Sequence, residues 1–116
     1  MTFSVEVYEK ENGGIPFVEF MQALPEKLQA KVLRSIDLLE EYGSSLREPY
    51  SKHIDDGIFE LRTKYASDIT RSMYFFFEGN RIVITHGFVK KQQKIPVSEL
   101  QKAKNYREDW LRRKQK

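Results

Sequence analysis

The spacing of apolar residues predicts one strand and two helices in the first part of the chain. Apolar and polar residues alternate over residues 3–7 (FSVEV), which predicts a first strand. Proline suits the first turn of a helix, so Pro16 and Pro25 predict two helix starts, and Gly43 predicts the end of the second helix. The predicted core positions are Phe17, Phe20, Met21 and Leu24 in the first helix and Leu28, Val32, Ser35, Ile36, Leu39 and Tyr42 in the second.

Three closely spaced strands are predicted in the second half of the chain. Residues 44–56 are polar and typical of a loop, after which apolar residues recur through 57–65, 69–77 and 81–88. The turn sequence Glu78-Gly79-Asn80 separates the last two strands and predicts a hairpin.

A final helix is predicted from about Glu99 to Arg113, with Ser98 as its N-cap and Gln101 completing a capping box. The element order is therefore β-α-α-β-β-β-α. This order predicts an α+β fold in which a small, mostly antiparallel sheet carries a helical hairpin on one face. The opposite face of the sheet is expected to be open.

Length and composition predict a single domain spanning residues 1–116. The chain has 116 residues, of which 40% are hydrophobic and 32% charged, which favours a compact core. The absence of cysteine excludes disulfides and thiolate metal sites and suits the cytoplasm. The start of the chain lacks a signal-peptide pattern, and no apolar run is long enough to span a bilayer. No cofactor is expected, since no Asp, Glu or His group has metal-ligand spacing.

Positive charge is concentrated towards the C-terminal end. Residues 1–56 carry 11 acidic and 6 basic side chains, whereas residues 88–116 carry 3 acidic and 10 basic ones. Such a distribution indicates that this end binds a polyanion or an acidic partner protein. A solvated, lysine-rich helix would have the same charge pattern.

Alternation within the predicted strand 57–65 separates an apolar face from a charged one. Phe59 and Leu61 are expected to point towards the helices. The charged residues Glu60, Arg62 and Lys64 are expected to line the open face.

Arg71 lies among apolar residues of the next predicted strand. A buried arginine is costly unless it is paired or hydrated, and Glu60 on the neighbouring strand is a candidate partner. Two interpretations follow, either a structural Glu60–Arg71 ion pair or an arginine held rigidly to bind a phosphate.

The third predicted strand ends in the basic stretch THGFVKKQQKIP, residues 85–96. Gly87 permits a bend or a close backbone approach. Cations that converge at the ends of three neighbouring strands predict a site for a phosphodiester backbone. The lysines of this stretch are Lys90, Lys91 and Lys94, and the candidate aromatic platforms for stacking on RNA bases are Phe88 and Tyr65.

The same region resembles a known family of toxins. It is similar to the HigB branch of the RelE/ParE toxin superfamily, the group described as phage-derived Gp49-like, over about residues 57–103. The matching positions are Gly57, Glu60, Leu61 and Arg62; Arg71, Tyr74 and Phe75; His86, Gly87, Phe88, Lys90, Lys91, Lys94 and Pro96; and Glu99, Leu100 and Ala103.

The resemblance implies the toxin of a type II toxin–antitoxin system. Such toxins cleave mRNA, usually on the ribosome, without a metal: the ribose 2′-OH attacks the adjacent phosphate and leaves a 2′,3′-cyclic phosphate. The implied partners are mRNA, the ribosome and a cognate HigA-like helix-turn-helix antitoxin, with a heterotetrameric toxin–antitoxin complex expected.

The resemblance also implies roles for individual residues. The family's catalytic arginine falls on Arg71, and its basic residue after the strand glycine falls on Lys90 or Lys91. Arg62 and Lys94 are implied to hold phosphate or ribosomal RNA. The general base stays open, because relatives use different residue types for it. The candidates here are Glu60, Lys64, His86 and His53. His53 lies in the loop before the predicted sheet, from which either His53 or Lys52 is expected to reach the rim of the sheet.

Two rival functions remain at this stage. A ParE-like toxin would act on DNA gyrase and would need no cationic active site. A non-catalytic module would use the basic rim only to bind nucleic acid or a protein.

Overall fold

The structure is a computed structural model that describes residues 2–90 and 94–114. Its strands are β1 (Ser4–Val7), β2 (Ser51–Asp55), β3 (Ile58–Tyr65), β4 (Asp68–Phe77) and β5 (Arg81–Val89). Its helices are α1 (Pro16–Gln22), α2 (Glu26–Tyr42) and α3 (Val97–Lys114), with a short 3-10 turn at Gly43–Ser45. The five strands form one sheet in the order β1-β5-β4-β3-β2. Only β1 pairs in parallel, so the predicted α+β layout with a mostly antiparallel sheet is confirmed.

One strand was missed by the sequence analysis. Part of the segment predicted as a loop forms β2, which pairs with β3 at the edge of the sheet. The two strands are joined by Asp56 and Gly57, whose φ angles of 52° and 77° are those of a tight hairpin turn. The sequence SKHID has little apolar alternation, because an edge strand buries less of its surface than a central one.

The sheet is covered on both faces, which corrects the expectation of one open face. Helices α1 and α2 pack on one face, where Leu28 and Val32 meet Leu61 and Ile84. Helix α3 packs on the opposite face. Its Ala103 and Trp110 are seven residues apart and therefore share one side of the helix, and they contact a second cluster that includes Met73, Phe75 and Val83.

Two details of the helices differ from prediction. Tyr42 was placed in the buried stripe of α2, but its side chain is 48% exposed, because the helix ends there. Ser98 was expected as the N-cap of the last helix. It lies instead inside the first turn, where Pro96 O accepts backbone hydrogen bonds from Glu99 and Leu100. Gly43 does end α2, with a φ of 48° that favours glycine.

Polar contacts near the middle and near the C-terminus of helix α3 hold it in place. Near its C-terminus, the Tyr8 hydroxyl donates to Asp109 Oδ2 at 2.6 Å, and burial together with this carboxylate raises the pKa of Tyr8 to about 12. Nearer the site, Lys104 Nζ lies 2.7 Å from Asp55 Oδ2 on β2. The Lys104–Asp55 contact holds α3 against the edge strand β2. In the described part of the chain, no helix has the length and apolar character required to cross a membrane.

Candidate active site

The strand register brings the predicted charged residues into adjacent rows on one face. Arg62 pairs with Arg71, and Arg71 pairs with Phe88 on β5. Because directly paired residues in an antiparallel sheet point to the same side, these three side chains share the face that α3 partly covers. In the next row towards the strand ends, Lys64 pairs with Ile69.

Glu60 holds both arginines. Its Oε2 lies 3.0 Å from Arg71 Nε, and its Oε1 accepts a hydrogen bond of 2.8 Å from Arg62 Nε. The Glu60 and Arg71 side chains are 1% and 2% exposed, whereas that of Arg62 is 29% exposed. The predicted Glu60–Arg71 ion pair is thus confirmed, and it leaves one carboxylate between two guanidinium groups. Burial lowers the pKa of Arg71, which the Glu60 charge opposes.

Lys90 brings a third cation to the same place. Its backbone N–H donates to Ile69 O at 2.7 Å, which holds the end of β5 against β4. Partial burial, followed by the charges of Arg71 and Arg62, lowers the pKa of the Lys90 ammonium, while Glu60 raises it. Lys90 lies near Arg71 because Phe88, two residues before Lys90, pairs directly with Arg71.

Two cavities open beside this cluster and share Arg62. The first, of about 350 Å³, is named here the central cavity. It is lined by Lys52, His53, Ile54, Glu60, Arg62, Arg71, Lys94, Ile95, Val97 and Leu100. The second, of about 490 Å³, is named the α2 groove. It is lined by Lys31, Arg34, Ser35, Leu38, Pro49, Tyr50, Arg62, Thr63, Lys64, Ile69 and Lys90.

The structure brings most of the predicted site residues together. His53 and Lys94 line the central cavity with Glu60, and Lys64 lines the α2 groove with Lys90. The His53 ring also accepts a hydrogen bond of 3.2 Å from the Gly57 backbone N–H through Nε2. Lys91 lies outside the described residues.

His86 and Phe88 have a more structural environment. His86 is buried, with Nε2 3.0 Å from Glu99 Oε1 on α3 and Nδ1 3.1 Å from Thr85 Oγ1. Burial lowers its pKa, which the Glu99 carboxylate opposes. The Phe88 ring stacks on His86 at a centroid distance of 6.0 Å and packs against the cluster beneath α3. Tyr65, the other candidate platform, packs against the cluster on the helical-hairpin face.

Three basic residues of the cavities were not predicted as site residues. Lys52, which was expected only to reach the rim of the sheet, pairs directly with Glu60 and so shares its face. Lys31 and Arg34 reach the α2 groove from the other side. Their spacing of three residues places them on one face of α2, a signal present in the sequence that the search for core positions overlooked.

The site is suited to bind an anion that spans several positive charges. Arg62 and Arg71 on adjacent strands flank one buried carboxylate, Lys90 follows the end of β5, and the partly open cavities give access to these cations. Fixed guanidinium groups bind phosphate oxygens in a directional way, which a solvated lysine-rich surface does not. Across residues 2–90 and 94–114, no group of three or more His, Asp or Glu residues is arranged to hold a metal ion.

Comparison with known proteins adds one family match. The model of the family described as phage-derived protein Gp49-like matches residues 19–108. No curated protein matches the chain significantly. Among solved structures, the chain is similar to the crystal structure of the archaeal RelE–RelB complex from Pyrococcus horikoshii OT3. That similarity has 18% sequence identity and a TM-score of 0.48, covering 82% of this chain and 100% of the other.

Proposed function

The chain belongs to the phage-derived Gp49-like family, a RelE/HigB-type toxin family, and we propose that it is a metal-free endoribonuclease that cleaves translated mRNA. The observation that supports this proposal is the arrangement around Glu60. One buried carboxylate orients Arg62 and Arg71, while Lys90 adds a third positive charge from the neighbouring strand.

In the proposed reaction, the ribose 2′-oxygen attacks the adjacent phosphorus and the bond from phosphorus to the 5′-oxygen breaks. The 2′-hydroxyl gives its proton to a base, and the departing 5′-oxygen gains one. The products are a 2′,3′-cyclic phosphate and a 5′-hydroxyl end. Negative charge builds on the non-bridging oxygens in the transition state, so preorganised cations stabilise that state more than the bound substrate.

The geometry supports distinct roles for the four residues. Arg71, held rigidly by burial, and the more accessible Arg62 would bind the phosphoryl oxygens. Glu60 is better suited to position these arginines than to act as the base, because each of its two oxygens already contacts a guanidinium group. Lys90 supplies positive charge or, with its lowered pKa, accepts the proton of the 2′-hydroxyl. His53, Lys64 and Lys94 remain candidates to contact the RNA.

The proposed partners follow from the family resemblance. They are the ribosome with its mRNA in the cytoplasm, and a helix-turn-helix antitoxin that assembles with the toxin into a heterotetramer. A partner that neutralises the enzyme by this route would cover the cationic cluster or block its access to mRNA.

The test combines controlled expression with mapping of RNA 5′ ends. We expect the wild type to arrest growth and produce new 5′-hydroxyl ends within translated messages. Arg62→Ala and Lys90→Ala should each reduce cleavage by about 10²–10³, the usual loss for one transition-state donor. Lys27→Ala is the matched control, because Lys27 is an exposed cation of α2 that does not line either cavity. Circular dichroism verifies that each variant is folded.

The outcomes separate the rival functions. Growth arrest with intact transcripts and stalled replication would instead support an action on DNA gyrase. Salt-sensitive RNA binding without new RNA ends would support a non-catalytic binding module. Equal toxicity of the wild type and both site variants would reject the cationic cluster as the active site.

A further inference from the structure

The α2 groove continues the cationic surface away from the proposed cleavage site. Arg62 lines both the groove and the central cavity, so the two spaces meet at the side chain that is bound to Glu60. An RNA strand whose scissile phosphate is bound at Arg62 and Arg71 would therefore have the α2 groove directly beside it.

The charge of the groove is strongly one-sided. Among the described residues, its lining includes Lys31, Arg34, Arg62, Lys64 and Lys90, and no acidic side chain. The central cavity differs in this respect, because Glu60 contributes a carboxylate there. A groove with five basic side chains from three separate elements is complementary to more than one phosphate.

Helix α2 is fixed against the sheet where its cations meet the groove. Thr63 Oγ1 on β3 donates to Ser35 Oγ at 2.8 Å, and Ser35 Oγ in turn donates to Lys31 O at 3.2 Å. Lys31 and Arg34 stand beside this junction, so their backbone positions are set relative to Arg62 even though their side chains are exposed.

An aromatic ring adds a base-binding element to the same groove. Tyr50 is 51% exposed and lines the groove with Pro49. Its carbonyl accepts a hydrogen bond of 2.8 Å from the Arg62 backbone N–H, which places the tyrosine immediately next to the site. Exposed aromatic rings beside cations are the usual elements that hold unpaired bases, because every base can stack.

We propose that the α2 groove binds the single-stranded RNA next to the scissile phosphate, with Lys31 and Arg34 on flanking phosphates and Tyr50 stacked on a base. The identity of the occupant rests on the proposed function, whereas the charge, depth and aromatic edge of the groove do not. This site makes α2 part of the substrate-binding surface and not only a support for the sheet.

The experiment measures binding of fluorescent, fully 2′-O-methylated RNA of random sequence and about eight nucleotides, within the range that single-strand sites cover. The blocked 2′-oxygen prevents cleavage, so binding is observed without turnover. We expect the Lys31→Ala/Arg34→Ala variant to bind more weakly. Its slope of log affinity against log salt, which is negative, should become less steep by about 1.4, or about 0.7 per lost phosphate contact. Tyr50→Leu should weaken binding by about tenfold with little change in the salt slope.

The matched control is Lys27→Ala/Lys114→Ala, which removes two exposed cations outside the groove. Its salt slope should equal that of the wild type. If the groove variant behaves like this control, or if the wild type does not bind the RNA, the inference is overturned. The inference is also overturned if the groove variant binds the RNA as the wild type does but no longer binds an acidic partner protein.

Failure of the inference and failure of the proposed function can be told apart. If the wild type cleaves mRNA on ribosomes but the groove variant binds RNA as the control does, only the groove assignment is wrong. If the groove variant loses RNA binding but the wild type produces no new RNA ends, the endonuclease proposal is wrong and the groove assignment stands.

Discussion

The carboxylate of Glu60 lies 3.0 Å from the guanidinium Nε of Arg71, and both side chains are almost completely shielded from water. Arg62 binds the other oxygen of the same carboxylate. A single acidic residue thus stabilises the fold and sets the direction of two proposed catalytic cations. Of the two interpretations of Arg71, the structural ion pair is confirmed, and phosphate binding stays a prediction.

This ion pair should dominate the stability of the site. Glu60→Gln removes the charge that both arginines share, and breaking a buried ion pair typically lowers the free energy of unfolding by about 3–5 kcal/mol. Urea denaturation monitored by fluorescence measures this loss. The double variant Glu60→Leu/Arg71→Met should be less destabilised than Glu60→Gln, because it removes the buried charges together. A Glu60→Gln variant within about 0.5 kcal/mol of the wild type, the usual range for surface substitutions, would contradict this expectation.

Lys90 should titrate at lower pH than an ordinary lysine. Partial burial and the neighbouring Arg71 and Arg62 charges lower the pKa of its ammonium group. Nuclear magnetic resonance of isotopically labelled lysine side chains should show one resonance titrating below the others, and Lys90→Arg should remove it. Arg62→Gln should raise this pKa by removing a positive charge, and Glu60→Gln should lower it further.

The same titration distinguishes two roles for Lys90. If its positive charge stabilises the transition state, cleavage declines as the pH rises through the pKa of Lys90. If Lys90 accepts the proton of the 2′-hydroxyl, cleavage instead increases over that range. Comparing the pH–rate profiles of the wild type and Arg62→Gln identifies the rise or fall in rate that is due to Lys90. This part of the profile should move to higher pH in the variant, because removing the Arg62 charge raises the pKa of Lys90.

His86 should act through stability more than through chemistry. It is buried and bridges β5 to Glu99 on α3, with Lys102 also close enough to affect its charge. His86→Gln should lower the free energy of unfolding by about 1–3 kcal/mol, the usual cost of disrupting a buried hydrogen bond. Its cleavage rate per folded molecule should stay close to that of the wild type, whereas a loss comparable to that of Lys90→Ala would indicate a catalytic role.

The pH dependence of stability provides a second measurement of His86. Since burial lowers its folded pKa below the unfolded value of about 6.5, the unfolded state binds more protons, and this contribution to stability is lost as the pH falls below about 6.5. The stability difference between the wild type and His86→Gln should therefore be largest at neutral pH and shrink in acid. A difference that grows in acid would mean that the Glu99 contact dominates.

The sequence could predict which charged residues share one face of the sheet, because the signals for that arrangement are local and periodic. Strand alternation separates Glu60 and Arg62 from Leu61, and an arginine within an apolar strand requires a partner on the adjacent strand. The family resemblance covers the same strands, and the pairing of β4 with β5 places Arg71 and Lys90 at the same end of the sheet. These parts of the site depend on short-range pattern and on direct pairing between neighbouring strands.

The remaining features depend on packing that no local pattern records. The edge strand β2 has its hydrogen bonds on one side only, so its sequence needs no apolar alternation and resembles a loop. The position of α3 on the second face depends on Trp110 contacting Phe75 and Phe77, which are distant in sequence. Lys31 lines the groove because α2 packs against β3, where Ser35 and Thr63 are hydrogen-bonded.

Gly87 shows how the sheet and the helical hairpin depend on each other. A side chain added at this position would place its Cβ 2.5 Å from the Phe20 ring on α1, so the glycine permits the close approach that the sequence analysis anticipated. Gly87→Ala should lower the free energy of unfolding by about 1–3 kcal/mol through overpacking. Phe20→Leu should relieve the clash, so the double variant Phe20→Leu/Gly87→Ala should be more stable than the sum of the two single effects predicts. Strict additivity of the two substitutions in urea denaturation would show that Gly87 is required for a reason other than contact with α1.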